Sequence, residues 1–298
     1  MKNKTLLGII YAIAGGIFWG FSGTCGEFVF KNYPSANSTW LCSVRILIAG
    51  FILLAISFFK YRTQLFALFK NKKDLLQMAL FGILGLLVSQ YCYLTAISYS
   101  NAGTATVLQY LGPVMIMVIT CFAGRRLPKP AELIALILAV VGTFLIATHG
   151  DLSSLSITPK ALVYGLMSAL GLVFYTMLPT KIIPKYGTIP ILGCGMTVGG
   201  ILLFFIVRPW SYRVSIDFAG VSAIAALIIV GTVLAYTVYL MGVANAGTVK
   251  ASVACSVEPV AAAVFSALWL GNNFSKEDII GFAAIISAVV ILSLAKKK

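Results

Sequence analysis

Long apolar runs alternate with short polar interruptions along the whole chain. Ten of the runs are about 20 residues long, the length an α-helix needs to cross hydrocarbon. They cover residues 6–30, 36–58, 75–98, 101–122 and 130–148 in the first half, and 160–180, 189–207, 218–243, 246–270 and 275–295 in the second. The connections are short, which packs successive helices as antiparallel neighbours. Only residues 59–74 leave room for a helix on the surface. The first run is too long for a secretory h-region and has no early small-residue cleavage pattern, so it reads as the first span. The pattern predicts an all-α polytopic membrane protein with ten transmembrane helices.

The pattern also repeats. Residues 93–118, moved forward by 146 without a gap, fall on residues 239–264. Tyr93 then meets Tyr239, Leu94 Leu240, Ala105 Ala251, Val107 Val253, Pro113 Pro259, Val114 Val260 and Val118 Val264. A proline inside a helix removes a backbone donor and clashes with the preceding turn. At membrane depth such a break survives only where protein or a water-filled cavity satisfies the freed groups. Matched breaks in two halves are the sequence pointer to a transporter's binding site, so Pro113 and Pro259 are read as helix breaks. A second echo sets YAIAGGIFWGFS, from Tyr11, against YGLMSALGLVFYT, from Tyr164. Five spans per half is an odd number, so the halves enter the membrane in opposite senses. The expected architecture is two inverted five-helix repeats, residues 1–150 and 151–298, meeting in the Ser-, Pro- and Asp-rich loop 150–159.

Composition agrees. Hydrophobic residues make up 60% of the chain and charged residues 10%, against roughly 25% charged in a soluble domain. The net charge of +14 would suggest nucleic acid in a soluble protein, but here the basic residues sit in short loops and set topology. No nucleic-acid partner is expected. With the N-terminus cytoplasmic, 16 of the 22 Lys and Arg residues fall inside, five outside, and Arg45 within a span. Both termini are therefore expected on the cytoplasmic side of the inner (plasma) membrane. The six cysteines form no C-x-x-C pair and there is one histidine. Metal ligation needs clustered ligands, so neither a metal nor a cofactor is expected.

Several segments resemble the drug/metabolite transporter superfamily, in particular its ten-helix EamA-type members. Arg45-Ile-Leu-Ile-Ala-Gly50 resembles the arginine and small-residue signature of their second span. Ala96-Ile-Ser-Tyr99 through Pro113 resembles the first-repeat motif, and Glu258-Pro259-Val260 followed by Leu268-Trp-Leu-Gly271 the second-repeat motif. Many members place a glutamate after the glycine ending spans four and nine, where this chain has Arg125 and Asn272. The resemblance implies a basket of ten helices around a central cavity walled by spans one, three, four, six, eight and nine. It implies export of amino acids or other small metabolites, the aromatic amino acid exporters being of this architecture.

Arg45 and Glu258 are the deepest ionisable residues. At 1.5 Å per residue both lie roughly 12–13 Å below the outer boundary, so they can form a structural ion pair, recognise a zwitterion, or titrate during transport. Glu27, near the outer end of span one, either snorkels to water or joins them. Lys250 can snorkel to the cytoplasm, and His149 reads as an exposed loop residue. The expected substrate contacts are Trp19, Ser22, Gln90, Tyr91, Tyr93, Tyr99, Gln109, Tyr110, Tyr175, Tyr236, Tyr239, Cys255 and Ser256. An amide such as Gln109 at membrane depth needs a partner, and aromatic walls suit apolar side chains.

These readings favour a secondary transporter exporting amino acids, with export of other small solutes or drugs by proton antiport as the alternative. The sequence has no G-x-x-x-x-G-K-[ST] loop for ATP. A membrane enzyme would need a nucleophile, base or metal cluster, and a channel would more readily show charge rings or a filter loop. The expected partners are a small-molecule substrate and the lipid bilayer. Two repeats in one chain make a monomer sufficient.

Overall fold

A helix is the one open structure that satisfies all its own backbone polar groups in hydrocarbon, and the chain folds accordingly. The computed structural model describes residues 2–100, 102–155, 157–271 and 274–294. Asn101, Asn272, Ala295 and Lys296 to Lys298, used above, lie outside the described residues, as does the side chain of Lys2. Among the described residues ten helices are long and apolar enough to span a membrane. They are α1 (Asn3–Asn32), α2 (Ser38–Lys60), α3 (Lys72–Ile97), α4 (Thr104–Ala123), α5 (Pro130–Thr148), α6 (Pro159–Lys181), α7 (Thr188–Ser211), α8 (Phe218–Ala246), α9 (Thr248–Leu270) and α10 (Lys276–Leu294). A short surface helix, Arg62–Lys70, lies between α2 and α3. Ten crossings place both described ends on the same face.

One boundary differs from expectation. Ala246 ends α8 rather than starting α9, because Gly247 takes φ 87° and turns the chain in a single residue. An L side chain is disfavoured in that region.

The packing repeats with the sequence. Helix α2 lies along α7, α5 along α10, and α4 against α9. Helix α1 packs on α8 and α9, while α6 packs on α3 and α4. Shifting every helix number by five returns the same list, as an inverted repeat requires. The irregularities repeat too. Both α3 and α8 contain a π-helical segment, Phe81–Leu87 and Ile229–Leu234. Helix α4 is interrupted at Tyr110 and resumes at Leu111. Helix α9 passes through a 3₁₀ turn, Cys255–Val257, and resumes at Glu258. In each case the proline falls in the first turn of the resumed helix, where a missing N–H costs little.

Two tyrosine–aspartate contacts tie the halves together crosswise. The Tyr186 hydroxyl, in the α6–α7 connection, donates to Asp74 Oδ2 at 2.8 Å, and Lys185 Nζ lies 3.0 Å from the same oxygen. Tyr33, in the α1–α2 connection, donates to Asp217 at the N-cap of α8. Tyr33 and Tyr186 are separated by the same 153 residues as Tyr11 and Tyr164, and each aspartate begins the same helix of the opposite half. His149 is also tied down. It ends α5 at φ 50°, and although its ring is largely exposed, Nδ1 lies 2.9 Å from Oδ1 of the buried Asp278. It is therefore a pin between α5 and α10 rather than a loose loop residue.

Two outcomes follow from this packing. A Cβ on Gly50 of α2 would sit 2.7 Å from the backbone nitrogen of Thr197 on α7. Gly50→Val should therefore lower stability by about 1–3 kcal/mol, read as a fall in the thermal midpoint in detergent. The Tyr33 hydroxyl, helped by the Gly220 N–H, holds the Asp217 carboxyl below its usual range. That contribution is complete above the ordinary carboxylate value of about 3.9 and is lost as pH falls through the lowered one. Tyr33→Phe protein should consequently lose less thermal stability on acidification than wild type; an identical loss would show that this contact contributes nothing.

Candidate functional site

The interrupted helices face one another across a cavity of about 750 Å³, within the roughly 300–1,000 Å³ usual for small-molecule sites. Seven helices wall it. The resemblance implied six; α2 joins them through Leu41, Cys42 and Arg45.

The lower end of the cavity is aromatic. The Trp19 ring centroid lies 4.8 Å from Tyr236, 5.1 Å from Tyr239 and 6.3 Å from Tyr175. Tyr175 in turn stands 5.6 Å from Tyr236 and 5.9 Å from Tyr239. Edge-on and tilted geometry matches the ring quadrupoles. The Tyr239 hydroxyl meets Thr176 Oγ1 at 3.0 Å, joining α8 to α6. Above this floor the wall is polar. Gln90 donates to the Tyr236 hydroxyl. These two residues are 146 apart, so they are counterparts in the repeat and their bond lies on the axis relating the halves. Tyr93 hydroxyl meets Thr106 Oγ1 at 3.0 Å, and Gln109 donates to Ser168 Oγ at 2.6 Å. The Tyr110 hydroxyl, at the break in α4, donates to Glu258 Oε2 at 3.3 Å, at the break in α9. The wall continues to Phe30 and Lys31 at the end of α1, Ser38 at the start of α2 and Ile97 at the end of α3. The cavity thus opens on the face opposite the chain ends and closes toward them.

Of the residues singled out from sequence, Trp19, Ser22, Glu27, Arg45, Gln90, Tyr93, Gln109, Tyr110, Pro113, Tyr175, Tyr236, Tyr239, Cys255 and Glu258 line this cavity. Three expected contacts do not. Tyr91 lies off the stripe formed by Gln90, Tyr93, Leu94 and Ile97 and packs into the surrounding core, as helical spacing dictates. Tyr99 lies beyond the end of α3, stacked on Tyr164 at 5.9 Å beneath Lys160. Ser256 is fully buried away from the cavity with its hydroxyl unpartnered. At three residues per 3₁₀ turn, Cys255 and Glu258 share a face that Ser256 cannot. Pro259 likewise stays outside the wall. The structural ion pair between Arg45 and Glu258 is not formed. Arg45 Nε is buried without a partner, and Glu258 is held by Tyr110. Glu27 accepts a bond from Ser266 at 3.2 Å.

The sequence reading missed Gly23, Cys42, Thr106 and Ser252. Gly23 completes an every-fourth-residue stripe with Trp19 and Glu27, and it is exposed in the middle of a helix with open space around it. Thr106 and Ser252 are 146 residues apart, so the doubling itself would have found them.

The relatives agree with this geometry. The sequence profile of the EamA-like transporter family matches residues 6–148 and 159–294. The chain is 35% identical to the uncharacterized inner membrane transporter YicL of Salmonella typhimurium, over 99% of this chain and 98% of that one. It is 23% identical to the threonine/homoserine exporter RhtA of Escherichia coli K12, over 89% of this chain and 85% of the exporter. A solved crystal structure superposes with a TM-score of 0.75 over 97% of this chain and 96% of its own, at 15% identity, and so shares the fold. The chain belongs to the EamA-like transporter family, a family of transporters rather than enzymes, and is a multi-pass membrane transporter.

Proposed function

We propose that the protein exports small zwitterionic metabolites, amino acids foremost, by alternating access through the central cavity. The carrying observation is that two ionisable side chains of opposite sign, Arg45 and Glu258, line the same cavity without a direct ion pair between them. Arg45 leaves a buried N–H without a partner, and Glu258 holds only the Tyr110 hydroxyl. A charged group within the bilayer should be paired or face water. A zwitterion would supply a carboxylate for Arg45 and an ammonium for Glu258, leaving its side chain against Trp19 and the tyrosines. The RhtA relative, a threonine/homoserine exporter, supports the class of solute and the direction. The lysine and arginine bias supports cytoplasmic chain ends in the plasma membrane, which makes the present cavity outward-open. One chain encloses the cavity, so a monomer suffices.

The inverted repeat supports the alternating step. In the present state Tyr239 of α8 closes over Thr176 of α6. Their repeat counterparts are Tyr93 of α3 and Gly23 of α1, the latter beside open space. Exchange of conformations between the halves brings Tyr93 over Gly23 and releases Tyr239.

Two measurements test the proposal. In proteoliposomes carrying out counterflow of labelled amino acids, Glu258→Gln and Arg45→Gln should each lower uptake about tenfold to a hundredfold, from roughly 1.5–3 kcal/mol for a hydrogen bond to a charged group. Full activity in both variants removes the zwitterion site, and export of organic cations by Arg45→Gln alone favours the drug–proton alternative. In a background without the native cysteines, a Gly23→Cys, Tyr93→Cys pair should crosslink with a short bifunctional reagent during turnover and arrest transport. A pair that never crosslinks while transport proceeds would exclude this closure.

A further inference from the structure

A second concavity, of about 610 Å³, lies outside the central one and shares no wall residue with it. Val114, Met117, Val118, Cys121 and Phe122 of α4 and Leu133 and Leu136 of α5 form its sides. The loop joining the two helices crosses its end with Arg125, Arg126, Leu127 and Pro128. Its walls are apolar and its rim is cationic.

The groove has the length of one leaflet. Val114 and Arg125 are eleven residues apart, about 16 Å at 1.5 Å per residue, half of a hydrocarbon core about 30 Å thick. The two rim arginines differ. Arg126 is engaged with Glu132 at 2.8 Å. Arg125 is exposed, and its side chain has no hydrogen bond or ion pair with the described residues.

The backbone at Arg125 is the more telling feature. It sits at φ 45° in the left-handed position that closes α4, with Arg126 N bonded back to Cys121 O at 3.0 Å. The residue 146 positions later is Gly271, at φ 73°, closing α9. Glycine is the favoured residue in that position, and α9 has it. Helix α4 carries an arginine there at a conformational cost. The second half also offers no basic residue in its connection before Lys276.

We propose that the α4–α5 groove is a binding site for one anionic glycerophospholipid. One acyl chain lies between α4 and α5 from the rim to the bilayer centre, and its headgroup phosphate is held by Arg125. An arginine fork matches phosphate geometry, and basic pockets between transmembrane helices are the usual seats of anionic headgroups. The inference stands on the groove and its rim and not on the identity of the transported solute.

The test is native mass spectrometry of the full chain released from detergent with phosphatidylglycerol, phosphatidylcholine of the same chains, or inorganic phosphate. Wild type should retain phosphatidylglycerol about fivefold or more over phosphatidylcholine, the factor expected for one interfacial arginine. Arg125→Asn removes the charge while Asn tolerates the left-handed backbone, and it should bring the two lipids level. Val118→Trp, at a position already open to lipid, should fill the groove and weaken retention of both. Equal retention of both lipids by wild type overturns the proposal, and so does unchanged selectivity in Arg125→Asn. Unchanged retention in Val118→Trp shows a headgroup contact without a chain site. Displacement of the lipid by an equal concentration of phosphate shows a free-anion site. Either outcome also overturns it.

Discussion

Inside hydrocarbon a peptide group has no water to bond, and each unsatisfied one costs several kcal/mol. The structure depends on how that constraint is met at two places. Helices α4 and α9 both break near the middle of the membrane, at Tyr110 and at Cys255–Val257. A break facing lipid would be untenable. Both instead face each other, with polar side chains of α3, α6 and α8 around them, and the space left between them is the cavity. The prolines do not line this space equally, since Pro113 is in the wall and Pro259 is not. Their shared role is to start the second half of each helix, where the missing donor is harmless.

On the proposed alternating-access reading, the inverted repeat gives this arrangement two states. A contact made within one half has a counterpart position in the other where it is not made. Tyr239 meets Thr176 within the second half, whereas Tyr93 meets Thr106 within the first and does not make the equivalent contact with α1. The tyrosine–aspartate contacts behave differently, since Tyr33–Asp217 and Tyr186–Asp74 are both made, one near each face. Both tie one half to the other and lie outside the cavity wall.

Fold was legible in sequence because the signal was physical and long. Ten apolar runs, an odd number per half and a 146-residue echo gave the spans within a few residues, with α8 ending three residues and α9 starting two residues later than expected because of the turn at Gly247. The site was legible where chemistry was unusual for its depth. Arg45, Glu258 and Gln109 stand out in hydrocarbon, and they line the cavity. Tyrosines did not discriminate in the same way. Tyr93 and Tyr91 differ by two residues and look alike, but only helix rotation decides which faces the cavity. Gly23 was invisible for the opposite reason: its contribution is an absence of side chain, which composition cannot flag. The crossed tyrosine–aspartate contacts were out of reach because the tyrosines are 153 residues apart and the aspartates 143, so no single offset aligns both.

Charge placement at the cavity wall carries the last step. An ion pair between Arg45 and Glu258 would be the cheapest way to keep both within the membrane, because each would lower the cost of the other. The fold leaves that economy unused. Glu258 is turned to the Tyr110 hydroxyl, and Arg45 keeps a buried N–H with no acceptor. A buried unpaired donor costs free energy. A ligand that completes both partners removes that cost on binding, whereas a solute of one charge completes one and leaves the other. On the proposed reading, a zwitterion would complete Arg45 and Glu258 together, and the aromatic floor would sort among zwitterions by side chain.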